Sequence, residues 1–205
     1  MATPDYPAAY TGRGISVSAR VIAAGYPAGQ PMRTAPVQAV LQTGTAETHY
    51  HRAGVGPPVL LLYAQALADP LGAALFAALA ARFRVIAPAL PAGVGGPGAD
   101  LAISTWLRDL IDGLGLERPS VIADEWLAGP LLGFVLMDRD RVGGVAAVCR
   151  DRVDPHRPGA LEDQLERSAH QLMVVAVDDG VDAVAGAAAA AAQLMPFLDR
   201  AAAAR

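Results

Sequence analysis

The chain has 205 residues, of which 53% are hydrophobic and 18% are charged, and its formal net charge is −4. This length suits one domain with a substantial core, and the balance of apolar and charged residues excludes a disordered chain. Acidic and basic residues are interspersed without a basic face, so we expect no nucleic-acid partner.

The first 34 residues are rich in proline and glycine, which predicts an extended arm or irregular cover before a domain of residues 35–205. The segments PVQAVLQTGT and ETHYHRAG predict two antiparallel strands joined by a turn at Gly44, and VLLLYA predicts a short buried strand. The next helix should begin at Asp69, an N-cap followed by Pro70 at the first helical position.

Buried apolar strands then alternate with helices. The predicted strands are RVIAPAL, PSVIAD, GGVAAVCR and QLMVVAVDD, and the predicted helices are DLAISTWLRDLIDGLGL, EWLAGPLLGFVLMDRD and the alanine-rich tail. Residues 151–169 are polar and contain one predicted short helix, ALEDQLERSA. This order predicts an α/β fold, in which a mostly parallel sheet carries helices on both faces.

Cellular location is inferred from what the sequence lacks. Cys149 is the single cysteine, so no internal disulfide is expected. The first residues lack the charged head and apolar stretch of a secretory signal, and no uninterrupted apolar run is long enough to span a bilayer. We therefore expect a cytoplasmic protein that has no membrane partner.

Five phrases resemble segments of the α/β-hydrolase fold superfamily, in that family's order, over roughly residues 36–182. They are HYHRAGVGPPVLLL, ALAARFRVIAPALPAGVGG, GLGLERPSVIADEWLAGPLL, DRVGGVAAV and VVAVDDG. The resemblance implies an α/β-hydrolase-like sheet with a minimal cap at about residues 151–169. It also implies a C-terminus truncated before the family's final strand and histidine loop.

Hydrolysis by this family needs a nucleophile on a strained turn, a histidine base, an orienting acid and an oxyanion hole. Aligned from Pro119, Trp126 stands where the resemblance places the nucleophilic serine, and Asp124 and Ala128 replace the flanking glycines. An indole cannot attack a carbonyl, so one interpretation is a relaxed turn with Trp126 in the core or the pocket wall. The alternative follows the H-D-W-G elbow of epoxide hydrolases and haloalkane dehalogenases, and it makes Glu125 a carboxylate nucleophile.

The family's base and acid are only partly matched. No histidine follows His170, which opens the last predicted strand, so the late histidine is absent. His156 in the cap region is a candidate acid or base, with a solvated loop histidine as the alternative. Asp179 falls where the resemblance places the acid, although Asp178-Asp179-Gly180 is also ordinary turn chemistry.

The oxyanion loop of the family corresponds to Tyr63, Ala64 and Gln65, whose backbone N–H groups could form the hole. The Tyr63 hydroxyl and the Gln65 amide would then lie near the mouth of a ligand pocket, although Tyr63 could instead be a packed ring. Trp126 and Leu127 are expected to line the same pocket.

His49 and His51 lie two residues apart and face one side of an early strand, where they could bind a metal weakly. Exposed strand histidines are commoner, so we assign no metal, and no cofactor is expected.

Three functions remain open. The leading hypothesis is a non-hydrolytic protein that binds or transforms a small hydrophobic molecule, by an isomerase-, cyclase- or lyase-type step of secondary metabolism. The second is a non-catalytic pseudoenzyme scaffold that binds another chain through its proline-rich arm or alanine-rich tail. That chain would be a second copy or another protein. The third is a hydrolase that uses Glu125 as its nucleophile.

Overall fold

The computed structural model describes residues 15–21, 36–43, 46–63, 67–91, 99–150, 172–178 and 180–204. The strands are β1 (Ile15–Val21), β2 (Val37–Thr43), β3 (Ala46–Ala53), β4 (Pro58–Leu62), β5 (Arg84–Pro88), β6 (Ser120–Asp124), β7 (Gly144–Arg150) and β8 (Leu172–Val177). The helices are α1 (Pro70–Ala80), α2 (Ala99–Gly113), α3 (Ala128–Met137) and α4 (Ala183–Ala203), with 3-10 turns at Glu125–Leu127 and Arg139–Arg141. Of the helices described, none is long and apolar enough to cross a bilayer.

The described strands form one sheet in the order β1-β2-β3-β5-β4-β6-β7-β8. β1, β2 and β3 pair antiparallel, and β3 joins β5 in the same way. From β5 through β4, β6, β7 and β8 every pairing is parallel. This confirms the predicted mostly parallel sheet. The sheet is mixed, because its first three strands pair antiparallel.

Residues 15–21, within the segment predicted as an arm, form an edge strand of this sheet. β1 pairs along its length with β2, from Ile15 opposite Thr43 to Val21 opposite Val37. The sequence ISVSARV alternates apolar and polar residues with the period of a strand, but prolines and glycines on both sides obscured the signal. The sheet therefore begins before residue 35, and it has three antiparallel strands at its start instead of two.

Each face of the sheet carries one core, because successive strand residues point to opposite sides. α1 and α4 pack on one face, called the α1/α4 face, and α2 and α3 pack on the other, called the α2/α3 face. The first core includes Val59, Leu61, Phe76, Leu79, Val148 and Leu194. The second includes Leu60, Leu62, Leu107, Val121, Leu131 and Phe134.

Side chains and glycines set the limits of the elements that join the strands. Asp69 caps α1 as predicted, since its Oδ2 accepts a hydrogen bond of 2.8 Å from the Gly72 N–H. The turn from β3 to β4 uses Gly54 at a φ of 77°, where a Cβ would lie only 2.1 Å from the Phe83 carbonyl oxygen. After this turn, Val59 and Leu61 of β4 pack against α1.

Candidate functional site

The carboxyl ends of the parallel strands are where ligands bind in sheets of this kind. In this chain β4 ends at Leu62, β6 at Asp124 and β8 at Val177, all at one edge. The turn after β6 lies centrally on that edge, because β6 is flanked by β4 and β7.

The turn after β6 has a relaxed backbone. Residues Glu125–Leu127 form one 3-10 turn that leads directly into α3, and Leu127 at the helix start has φ −89° and ψ −8°. Among the described residues Arg118, with φ 44°, is the one non-glycine residue with a positive φ, and it lies before β6 at the opposite edge. A nucleophile elbow stores strain in its backbone, and this turn does not.

Trp126 and Leu127 are neighbours with opposite environments. The Trp126 side chain is 42% exposed, whereas Leu127 is 1% exposed and belongs to the core with Leu131 and Phe134. The indole is therefore a surface group at the carboxyl edge, not a core residue. Leu127, which the sequence placed in a pocket wall, has its side chain committed to core packing below the turn.

Tyr63 lies beside Asp124 at the same edge. Leu62 of β4 pairs with Ala123 of β6. The residues that follow them, Tyr63 and Asp124, therefore lie side by side. Tyr63 is 2% exposed and packs in the core of the α1/α4 face. Of the two interpretations of Tyr63, a pocket-mouth hydroxyl or a packed ring, the structure matches the packed ring. Asp124 is half-buried, and it places a carboxylate at the edge.

In the sequence, Asp124 stands out only as a replacement for one of the glycines of the elbow. The signal that could have identified it as a functional candidate is a single acidic residue at the end of the apolar strand SVIAD.

In the turn after β8, the carboxylate of Asp178 holds the backbone of the turn. The Asp178 Oδ1 accepts a hydrogen bond of 3.0 Å from the Gly180 N–H, and the Val181 N–H donates to the Asp178 carbonyl at 3.1 Å. Asp182 then caps α4 by accepting from the Val184 and Ala185 N–H groups. These contacts are the ordinary turn chemistry that the sequence DDG also predicted.

Several predicted site residues lie outside the described part of the chain. They are Ala64, Gln65, His156 and Asp179, together with His170 and the cap region of residues 151–169. Glu125 is described in its backbone only. Their predicted roles stay predictions.

The two histidines of β3 share a strand face with an acidic neighbour. His49 Nε2 lies 2.8 Å from Glu47 Oε1, and both side chains are half-exposed. His51 is partly buried, and burial lowers its pKa from the usual 6.5. Within the residues that the structure describes, no three histidine, cysteine or acidic side chains come together as a metal site.

A shallow depression of about 400 Å³ lies at the opposite, amino-terminal edge of the sheet. It is lined by Gly56, Pro57, Pro58, Arg84, Gly115 and Glu117. Arg84 and Glu117 are exposed, so this depression differs from the apolar pocket expected at the carboxyl edge.

Comparison with known proteins rests on structure. No family model matches the sequence, and no curated protein matches it. A predicted CIB-like hydrolase from Thermoplasma acidophilum matches with 14% identity over 80% of this chain and 98% of its own, at a TM-score of 0.59. Naproxen esterase, carboxylesterase NP from Bacillus subtilis, matches with 13% identity over 79% of this chain and 91% of its own, at a TM-score of 0.58.

Other structures match over a smaller region. Carboxylesterase CesB from Bacillus subtilis has 20% identity over 55% of this chain and 42% of its own, at a TM-score of 0.47. A second hydrolase from that organism is matched over 43% of its length. This chain therefore spans less than half the length of these two relatives.

Proposed function

This chain has the α/β-hydrolase fold that its sequence phrases resemble, and from this premise we propose that it binds or transforms a small hydrophobic molecule without hydrolysing it. The proposed site is the carboxyl edge of the sheet around the turn after β6. Trp126 supplies an apolar contact surface there, and Asp124 supplies a carboxylate. The reaction class is an isomerisation, cyclisation or elimination of the kind found in secondary metabolism.

The observation that carries the proposal is the environment of Trp126. A large aromatic side chain that is 42% exposed stands at the edge where ligands bind in this fold. An indole buries a large apolar area against a ligand, and it loses little side-chain entropy because it has only about two rotatable bonds. A hydrophobic ligand stacked on Trp126 would remove that surface from water.

The turn itself supports a non-hydrolytic role. Glu125, Trp126 and Leu127 offer no hydroxyl or thiol, and the backbone has no left-handed residue at this place. An acyl-enzyme intermediate would need both a nucleophile and its strained presentation. An isomerisation or cyclisation needs neither, because a carboxylate such as that of Asp124 can take a proton from the ligand and return it at another atom.

Energy transfer from Trp126 to a bound probe tests the proposal. The chain has two tryptophans, so Trp106→Phe leaves Trp126 as the sole donor. We expect 8-anilinonaphthalene-1-sulfonate to give saturable energy transfer in this variant. The matched variant Trp126→Phe, with Trp106 intact, should bind the probe at least about fivefold more weakly, which corresponds to about 1 kcal/mol. Equal affinity in both variants, or no saturable transfer, would contradict the proposal.

A second candidate function is hydrolysis through Glu125. The observation that favours it is that Glu125 is the first residue after β6, at the point where the strand turns into α3. Its test is the hydrolysis of styrene oxide and p-nitrophenyl butyrate by the wild type and by Glu125→Gln. Turnover that Glu125→Gln abolishes would establish the carboxylate nucleophile, and absence of turnover in the wild type would eliminate it.

A further inference from the structure

α3 is an apolar helix with one side in the core and one side in solvent. Its sequence, AGPLLGFVLM, contains no polar side chain. Leu131 and Phe134 lie in the core of the α2/α3 face. Leu136 and Met137 point away from that core, and they are 51% and 61% exposed. A helix that is apolar all round is normally buried all round, so we expect the exposed side of α3 to be covered by a partner.

The outer face of α3 consists of Gly129, Gly133, Leu136 and Met137. The two glycines are four residues apart, so they are neighbours along this face. Outside the helix itself, no described residue places an atom within 4 Å of the position that a Cβ of either glycine would take. The outer face therefore has a notch at its start, and beyond the notch it has a ridge made by Leu136 and Met137.

We propose that the outer face of α3 is the interface of a dimer, in which α3 packs antiparallel against α3 of a second copy. Gly129 and Met137 lie four residues to either side of Gly133. A two-fold axis at Gly133 therefore places Leu136 and Met137 of each copy over Gly129 of the other. Each copy supplies both a notch and a ridge, as a two-fold interface made of one surface patch requires.

The charges at the two ends of α3 also favour a second copy in this arrangement. The N-terminal end of a helix carries partial positive charge, and the N-cap of α3 is Leu127, whose side chain cannot accept a hydrogen bond there. Asp140 is exposed, and it follows the opposite end of α3 in the 3-10 turn Arg139–Arg141. The antiparallel pair brings Asp140 of each copy to the N-terminal end of α3 of the other, where a carboxylate is stabilising.

The size of the outer face indicates a weak dimer. A helix of ten residues is about 15 Å long, so a contact made by α3 alone buries less than the roughly 800 Å² per partner of a stable complex. We therefore expect a reversible dimer with a dissociation constant of about 10 to 100 µM. Asp124 and Trp126 lie outside the outer face, so the dimer and the proposed ligand site can be tested separately.

Sedimentation equilibrium of the full chain, between about 5 and 500 µM, tests the inference. We expect the average mass to rise with concentration from that of a monomer towards that of a dimer. Gly133→Leu fills the notch, and it should raise the dissociation constant at least tenfold. Leucine favours a helix more than glycine does, and the monomer has space for its side chain at this position, so unfolding would not explain the loss.

A matched pair of variants controls for the loss of an exposed apolar side chain. Met137→Glu should weaken the dimer at least tenfold, whereas Val184→Glu, at a position that is 67% exposed on α4, should leave the dissociation constant unchanged. A monomer throughout the concentration range would overturn the inference and give the outer face to another part of the chain or to another protein. A dissociation constant that Gly133→Leu and Met137→Glu do not alter would also overturn it.

Disulfide formation tests the antiparallel register. In a Cys149→Ala background, which removes the single native thiol, proteins carrying Gly129→Cys and Met137→Cys are mixed and oxidised. We expect disulfide dimers of one protein with the other to exceed dimers of either protein with itself at least tenfold, as measured by mass spectrometry. Dimers in the ratio of random pairing would contradict the proposed interface.

Discussion

At the scale of single residues, the turn after β6 positions the side chains of the proposed site. Trp126 and Leu127 are adjacent in sequence, and both were expected in a pocket wall, but one is 42% exposed and the other 1%. Both lie in a 3-10 turn, which has three residues per turn, so neighbouring side chains point in different directions. Sequence similarity identified the position of the turn, but it could not fix the backbone angles that orient each side chain.

Restoring a serine to this turn should not restore hydrolysis. Trp126→Ser supplies a hydroxyl, but the turn lacks the left-handed backbone and the glycines of an elbow. We expect p-nitrophenyl butyrate hydrolysis by this variant to stay at the wild-type rate within about twofold, since an unactivated serine is a weak nucleophile. An increase of more than about 100-fold, with Trp126→Ala as the control, would show a usable elbow.

His51 gives the stability of the protein a pH dependence. Burial lowers its pKa in the folded state, so the unfolded chain binds more protons near pH 6. Stability is therefore unaffected by His51 above the ordinary pKa of 6.5, and it is lost as the pH falls below 6.5 and through the lower folded-state pKa. Urea unfolding between pH 5 and 8, a range of about three units around the histidine pKa, should show a smaller loss of stability at low pH in His51→Gln.

The control for this measurement is His49→Gln. His49 is half-exposed beside Glu47 on the same strand face, so its replacement leaves the burial of His51 in place. The loss of stability at low pH should persist in that variant. An identical pH profile in the wild type and in His51→Gln would contradict the account.

At the scale of elements, the strongest local signals predicted the structure well. Asp69 caps α1 as expected, and the buried strands β4, β5, β6 and β7 lie where apolar runs predicted them. β1 was missed because the alternation ISVSARV is shorter than the proline-rich stretch around it, and its pairing with β2 is a contact that no local pattern specifies. Long-range pairing is the part of a sheet that sequence periodicity leaves open.

The last helix contains an internal conflict. Alanine gives α4 a high helix propensity, but Pro196 lies inside it and removes one backbone hydrogen bond. Pro196→Ala should raise the free energy of unfolding by about 1 to 2 kcal/mol, less than the full penalty because proline also restricts the unfolded chain. Chemical denaturation checks this, with the exposed Gln193→Ala as a control expected to change stability by only a few tenths of a kcal/mol. A decrease for Pro196→Ala would show that the proline fits a bend that the core requires.

At the scale of the whole molecule, the order of the elements was more informative than any single motif. Five weak phrases in the right order predicted the mostly parallel sheet with helices on both faces, and the strand order and the structural comparison bear this out. The site could not be predicted to the same depth. Asp124 and Tyr63 become neighbours only through the parallel register of β4 and β6, which links residues about 60 positions apart.

We propose that the α/β-hydrolase fold of this chain presents a ligand surface without a hydrolytic nucleophile. The most direct test is steady-state hydrolysis of p-nitrophenyl butyrate by the wild-type protein, measured beside buffer and beside heat-unfolded protein. We predict that the rate with folded protein equals the rate with unfolded protein and shows no saturation with ester concentration. Saturable turnover that requires the folded chain would show that the protein is a hydrolase after all.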